Sequence, residues 1–167
     1  MNRNLLLAIG LLIALSLGGG AAYIVYKKIA KYTKQDSPFE DEIQSAAKRF
    51  GVDQAVIRSI IMIESTYNPD ATRNDPTVTS YGLMQLTPAV LNDYNAATRE
   101  TWDIPDLYDP GVNINVGAWL LAHLTKKYDL VTAAQMYNVG EAGYLRKGKR
   151  NADYADKFNT YYPQYAA

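Results

Sequence analysis

The chain has 167 residues, no cysteine and a single histidine, which excludes disulfides, thiolate metal sites and any multi-histidine metal site within one chain. We expect no metal and no cofactor. The net charge is zero, but the first 35 residues carry five basic and no acidic side chains, and the rest carries 12 basic and 17 acidic ones. The acidic body argues against nucleic acid as a partner, and a basic segment beside an apolar run is typical of a membrane surface.

Residues 1–26 are predicted to form an N-terminal transmembrane anchor. Leu5 to Tyr26 is a run of 22 residues without a charge, and as a helix it would extend about 33 Å, enough for a hydrocarbon core of about 30 Å. A signal peptide cleaved after Ala22 is the alternative. The apolar run continues beyond Ala22, which favours a retained anchor that contacts lipid through residues 5–26. Small residues at every fourth position offer a face to a partner helix: Gly10, Ala14, Gly18 and Ala22.

A basic, polar linker is predicted at residues 27–36, followed by a domain at 37–167. This length suffices for one domain with a hydrophobic core. The domain shows no sustained strand-like alternation and is predicted to be all-α, with about six helices. Ser37 and Pro38 predict the N-cap and the first residue of a helix that Gly51 ends.

Caps and prolines predict where the next helices begin. Asp53 caps the second helix, Thr87 precedes the third at Pro88, and Asp109 precedes the long fourth helix. The fourth helix is expected to bury one apolar stripe. This stripe consists of Val112, Val116, Trp119, Leu120 and Leu124.

Two further helices are predicted in the C-terminal part of the domain. The fifth spans roughly residues 130–137 and ends near Gly140, and the last runs from about Asn151 to Pro163. The last helix is expected to carry three aromatic side chains on one side, namely Tyr154, Phe158 and Tyr161. A basic loop is predicted between these helices, with Arg146, Lys147, Lys149 and Arg150.

The second helix carries a carboxyl group at the end of the apolar run IIMIE. On a helical wheel Glu64 falls between Ile57 and Ile60 on the apolar face, away from a polar face with Arg58 and Ser59. Burial and the C-terminal end of a helix dipole both raise the pKa of a carboxyl group. A carboxyl that keeps its proton near neutral pH is suited to general acid catalysis. The alternative is a glutamate that pairs with a buried arginine or reaches solvent.

Five motifs follow one another along the chain. They are Glu64-Ser65 before YNP, SYGLMQLTP at 80–88, LYDP at 107–110 before Asn113 and Gly117, MYNVG at 136–140, and YADKF at 154–158. In this order and spacing they resemble the transglycosylase SLT domain of lytic transglycosylases, which are similar to goose-type lysozyme and cleave peptidoglycan. The resemblance covers nearly all of residues 38–162 and implies a lysozyme-like fold.

The resemblance also implies a mechanism with one carboxyl group. Glu64 protonates the glycosidic oxygen between MurNAc and GlcNAc, and the 2-acetamido group stabilises positive charge at C1. Glu64 then takes the proton of the MurNAc C6 hydroxyl as that oxygen attacks C1, which leaves a 1,6-anhydro-MurNAc end. Tyr154 and Ser65 are expected to support Glu64. The expected contacts to the peptidoglycan glycan strand are Gly82, Met84, Gln85, Tyr137 and Asn138.

Two alternative functions stay open. A hydrolytic muramidase would leave reducing ends, and an inactive structural or glycan-docking subunit would cleave nothing. The first needs a second carboxyl group in most known mechanisms, and no motif supplies one. Acidic residues in predicted loops are Asp70, Asp75, Asp103 and Asp106. The stretch 73–79 is longer and more polar than is usual in the family and is predicted to be a rim loop over the groove.

We expect a single-pass membrane protein whose catalytic domain acts on the cell wall. The lysines that follow the apolar run favour the cytoplasm for this end of the helix, where there is no peptidoglycan. Two settings remain open, the bacterial inner membrane with its periplasm and the virion membrane or ejection apparatus of a phage. The conflict leads to the hypothesis of local wall opening in phage entry or in a secretion or conjugation machine.

Overall fold

A computed structural model describes residues 38–166 of the chain. The helices in this range are α1 Glu40–Phe50, α2 Gln54–Ser65, α3 Pro88–Thr98, a 3-10 helix Ile104–Tyr108, α4 Pro110–Thr125, α5 Leu130–Val139, α6 Glu141–Lys147 and α7 Ala152–Ala166. The strands are β1 Thr72–Asn74 and β2 Thr79–Tyr81. The predicted anchor, its face of small residues and the linker lie outside the described residues. Within the described part of the chain, no helix is long and apolar enough to cross a membrane.

Side-chain caps confirm three of the predicted helix starts. Oδ1 of Asp53 accepts a backbone N–H of the first turn of α2 at 2.8 Å, and Oδ1 of Asp109 does the same for α4 at 2.9 Å. Thr87 is the N-cap of α3. The predicted start of α1 is wrong, because α1 begins at Glu40. Its N-cap is Phe39, which has a φ of 67° and forms no side-chain cap. The predicted end of α1 at Gly51 is confirmed.

Helix α2 lies at the centre of the domain and packs against α1, α4 and α7. Its residues from Ala55 to Met62 are all buried, so the predicted polar face does not exist. Arg58 is 0% exposed and is accommodated because Glu40 and Gln54 both accept hydrogen bonds from its guanidinium. A buried charge needs such partners, since an unpaired one would cost several kcal/mol.

Helix α4 does not bury one stripe as predicted. Ile114 and Leu121 are fully buried, whereas Trp119 and Leu120 of the expected stripe are only partly buried. The reason is that α1, α3, α5 and the 3-10 helix pack around α4 on several sides. A helix enclosed in this way shows no clear amphipathic period.

Three features of the fold differ from the sequence prediction. The stretch predicted as a rim loop is an antiparallel hairpin in which Arg73 pairs with Ser80, too short to show a strand period. The predicted basic loop is partly helical, because α6 spans Glu141–Lys147. Helix α7 continues through Pro163. This proline lies exposed in the final turn, where water can donate to the carbonyl that the missing N–H leaves without a partner.

Candidate active site

Glu64 lies one residue before the end of α2, and its side chain is 4% exposed. Each carboxylate oxygen has its own donor. The hydroxyl of Tyr154 donates to Oε1 at 2.8 Å, and Nη2 of Arg73 donates to Oε2 at 3.1 Å. Tyr154 comes from the buried side of α7, which packs along α2, and Arg73 comes from β1. The carboxyl group is therefore held between a neutral and a cationic donor.

Burial raises the pKa of Glu64 above its ordinary value, and the hydrogen bond from Tyr154 and the charge of Arg73 offset part of that rise. The direction confirms the prediction made from the apolar position of Glu64. A buried carboxyl group keeps its proton to higher pH because a low-dielectric surrounding disfavours the charged form. The site thus has a carboxyl group biased toward the acid form.

Two tyrosines near Glu64 keep their protons. Burial, followed by the negative charge of Glu64, raises the pKa of Tyr154 well above its ordinary value, and the same two causes act on the pKa of Tyr137. Tyr154 is therefore a neutral donor to Glu64 over the physiological range. The hydroxyl of Tyr137 donates to the backbone carbonyl of Met84 at 2.8 Å and ties α5 to the segment that precedes α3.

Gln85 binds the protein itself. Its Oε1 accepts from Oγ of Ser80 at 3.0 Å, and its Nε2 donates to the carbonyl oxygens of Ala71 at 3.1 Å and Gly82 at 3.0 Å. Gln85 is 9% exposed and has a left-handed φ of 49°. Its amide therefore fastens the hairpin to the loop that follows, and the contact with the glycan that the resemblance implies stays a prediction.

The structure places neither Met84 nor Gly82 at a surface. The side chain of Met84 is fully buried against Gly117, where a Cβ would collide with its sulfur. Gly82 has a φ of 73°, and a Cβ there would collide with Asn113 Nδ2 and the carbonyl oxygen of Leu107. The close backbone approach expected at Gly82 exists, but it is toward the protein. Both positions are enclosed by protein atoms, and any contact of these residues with a glycan stays a prediction.

Ser65 and Asn138 are half-buried and bonded within the protein. Oγ of Ser65 donates to the carbonyl of Ile61 at 3.2 Å, one turn back along α2. Oδ1 of Asn138 accepts from Nδ2 of Asn151 at 2.8 Å, which links the end of α5 to the segment before α7. Any contact of these residues with a glycan stays a prediction.

Two residues, Asn113 and Arg73, were not predicted as site residues from the sequence. Asn113 is fully buried, its Oδ1 accepts from the N–H of Met84 at 2.8 Å, and its Nδ2 donates to two carbonyls, those of Tyr81 and Leu107. Asn113 stands in the motif that follows LYDP, but the same helix also carries Asn115, and the sequence does not show which of the two is buried. Arg73 lay in a stretch known only to be polar, and no spacing rule connects it to Glu64.

The fold is similar to that of solved lytic transglycosylases. The TM-score is 0.61 to the 70-kDa soluble lytic transglycosylase of Escherichia coli, at 21% identity over 86% of this chain and 25% of that one. It is 0.58 to an inactive mutant of the lytic transglycosylase Slt of Pseudomonas aeruginosa, at 22% identity over 97% of this chain and 29% of that one. At such identities the likeness establishes the fold alone.

The family follows from the sequence match. The Transglycosylase SLT domain family matches residues 41–160, and the chain belongs to this family. It is 30% identical over 129 residues to membrane-bound lytic murein transglycosylase C of Edwardsiella ictaluri, 68% of this chain and 34% of that protein. It is 30% identical over 115 residues to membrane-bound lytic murein transglycosylase E of Buchnera aphidicola, 64% of this chain and 47% of that protein. The chain thus spans between a third and a half of the length of these curated relatives.

Proposed function

We propose that this domain is a peptidoglycan lytic transglycosylase that cleaves the MurNAc-β-1,4-GlcNAc bond without water. The observation that carries the proposal is the buried carboxyl group of Glu64, held by the hydroxyl of Tyr154 at 2.8 Å in a domain of the SLT family. The names of the relatives support the same activity, since both are lytic murein transglycosylases.

The proposed reaction uses Glu64 twice. The protonated carboxyl donates its proton to the glycosidic oxygen as the bond to C1 breaks, and the 2-acetamido group of the MurNAc stabilises the positive charge at C1. The resulting carboxylate accepts the proton of the C6 hydroxyl, and O6 forms the new bond to C1. The proton balance closes on Glu64, and the product is a 1,6-anhydro ring. The intramolecular hydroxyl replaces water because it is already held near C1.

The raised pKa of Glu64 supports the first step and Tyr154 supports the second. An acid is most effective when its pKa lies near the working pH. A neutral hydroxyl donor stabilises the carboxylate that Glu64 forms in the first step. This carboxylate can still accept the proton of the C6 hydroxyl in the second step. Tyr154 thereby fixes which oxygen of Glu64 stays bonded to the protein.

The experiment that tests the proposal compares the chain with Glu64→Gln on purified peptidoglycan. Release of soluble fragments should fall by about 10³-fold or more in the variant, because an amide keeps the shape of the side chain and cannot transfer the proton. Melting temperatures measured alongside verify that both proteins are folded. Equal release by the two proteins would leave Glu64 without a catalytic role.

We also propose that the domain acts at the cell envelope, tethered through residues 5–26. Support comes from the uncharged run of 22 residues and from relatives named as membrane-bound. The finer setting, local wall opening by a virion or by a secretion or conjugation machine, remains a hypothesis. Fractionation of virions and host membranes, probed with an antibody to the domain, separates the settings, and a wholly cytoplasmic distribution would oppose both.

A further inference from the structure

Arg73 is the cationic partner of Glu64, and the two side chains differ sharply in exposure. The Glu64 side chain is 4% exposed and that of Arg73 is 50% exposed. Nη2 of Arg73 donates to Oε2 of Glu64 at 3.1 Å, and Nε lies 3.8 Å from Oδ2 of Asp75, whose side chain is 55% exposed. The guanidinium therefore reaches from solvent to the buried carboxyl group and covers its outer oxygen.

The hairpin holds the backbone of Arg73 in place. Arg73 pairs with Ser80 across the two strands, and Ser80 donates to the buried amide of Gln85. Beside it, Oγ1 of Thr72 and the hydroxyl of Tyr108 lie 2.7 Å apart, which joins β1 to the 3-10 helix. The position of Arg73 is thus fixed by the hairpin, while half of its long side chain remains accessible to a ligand.

The ion pair opposes the acid role of Glu64. A guanidinium at 3.1 Å favours the carboxylate, whereas a general acid has to carry its proton when the glycan arrives. The groups that act on the pKa of Glu64 are Arg73 of the hairpin and Tyr154 and Lys157 of α7, and the charge of Glu64 in turn acts on Tyr137 of α5. When Glu64 takes up a proton, the exposed carboxylate of Asp75, 3.8 Å from Nε, is the anionic partner that Arg73 keeps among the described residues. An arginine in this position then favours another carboxylate, which it can bind with two parallel N–H groups.

Resting on the proposed function, we propose that Arg73 is a positioning and specificity residue that exchanges one carboxylate for another. In the free domain it holds Glu64, and in the complex it binds a carboxylate of the substituents on the glycan strand, which leaves Glu64 free to hold its proton. The ligand class is a carboxylate-bearing glycan. The only covalent change in this exchange is the O–H bond that Glu64 forms with a proton taken from solvent.

The first half of the proposal is tested by titrating the Glu64 carboxyl group by carbon-detected NMR, with the signal assigned from its absence in E64Q. Arg73→Gln should move the Glu64 midpoint to higher pH, because a charge that favours the carboxylate is lost. In Arg73→Lys the Glu64 midpoint should stay closer to that of the unsubstituted chain. Lys48→Gln, which removes an exposed charge on α1, is the matched control and should cause no shift. An unchanged midpoint in Arg73→Gln would overturn this half.

The second half is tested by calorimetric binding of a muropeptide tetrasaccharide with free carboxylates and of the same compound with its carboxyl groups amidated. E64Q cannot cleave the ligand and imitates protonated Glu64, so Arg73 is available in this background. It should bind the carboxylate form about tenfold more tightly than the amidated form, as expected for one charge-assisted pair. The double variant E64Q/R73Q should show no preference.

The outcomes separate this proposal from the proposed function. Equal affinity of E64Q for the two ligands overturns the exchange and leaves glycan cleavage intact. A preference retained in E64Q/R73Q assigns the carboxylate to another residue and also overturns it. Failure of E64Q to bind either ligand contradicts the proposed function and the exchange together, whereas the NMR titration still decides whether Arg73 controls Glu64.

Discussion

The hydroxyl of Tyr154 and Oε1 of Glu64 lie 2.8 Å apart, although the two residues are 90 positions apart in the chain. Helices α2 and α7 pack along each other to bring them together. The pKa of Tyr154 is held high by burial and by the charge of Glu64. The pair is therefore a buried acid with a permanent hydroxyl donor, and the reaction proposed for the domain depends on it.

Tyr154→Phe should lower glycan cleavage by about 10- to 100-fold while the domain stays folded. The loss corresponds to one hydrogen bond to a charged group, about 1.5–3 kcal/mol. The Glu64 pKa should rise, because the hydrogen bond from Tyr154 lowers it. The alkaline limb of the pH profile of kcat/KM should therefore move to higher pH. An unshifted profile together with full activity would show that Tyr154 is only a core residue. Phe158→Leu, on the same buried face of α7, is the control for packing.

Glu64→Gln should stabilise the domain at neutral pH. The folded-state pKa of Glu64 is raised, so ionisation costs folding free energy as pH rises from the unfolded pKa through the folded one. Below the unfolded pKa both states are protonated and this cost is absent. The difference in unfolding free energy between E64Q and the unsubstituted chain should therefore grow with pH, as measured by denaturant titration.

The control for that measurement is Asp156→Asn, which removes an exposed carboxylate from the same helix as Tyr154. It accounts for the loss of one negative charge without a change in burial. A pH-independent difference between E64Q and the unsubstituted chain would mean that the surroundings of Glu64 do not penalise its charge.

Gln85→Ala should destabilise the domain by about 2–3 kcal/mol, because it leaves buried hydrogen-bonding groups of Ser80 and two carbonyls without their partner. Amide exchange in the hairpin should accelerate. Gln44→Ala is the matched control, since Gln44 is exposed and its amide reaches only Glu40. If Gln85→Ala raised KM at unchanged stability, the amide would be a substrate contact as the sequence suggested.

Gly82→Ala should cost about 3 kcal/mol or more. A methyl group there adds a collision with Asn113 and the Leu107 carbonyl to the strain of a φ of 73°. Gly51→Ala provides the comparison, because its φ is 70° but nothing lies within 4 Å of the added carbon. That variant should lose only about 1 kcal/mol. Equal losses in thermal unfolding would refute the steric part of the explanation.

The helices of this domain could be predicted from the sequence largely through their ends. Asp53, Thr87 and Asp109 are side-chain caps, and such caps act within a few residues, so a local pattern reports them faithfully. The burial of Arg58 could not be predicted, since it depends on Glu40, 18 positions away. Tertiary partners of this kind leave no period in the sequence.

Some residues of the candidate site could likewise be predicted from the sequence, and others could not. Glu64 was selected from the sequence by its position on the apolar face of a helix, which recurs with the helical period. Tyr154 was selected by its position in a motif of the family. Arg73 was missed since a three-residue strand has no period, and its contact with Glu64 exists only once the hairpin has folded. Gln85 and Met84 lie in a motif of the family, but a motif does not show whether a side chain points outward or inward.

Cleavage of peptidoglycan in ¹⁸O-labelled water tests whether Glu64 cleaves the glycan without water. Mass spectrometry of the released fragments should show 1,6-anhydro ends that contain no ¹⁸O and are lighter by one water than reducing ends, and these products should be absent with E64Q. Reducing ends that carry ¹⁸O at C1 would show hydrolysis instead and would contradict the proposed reaction.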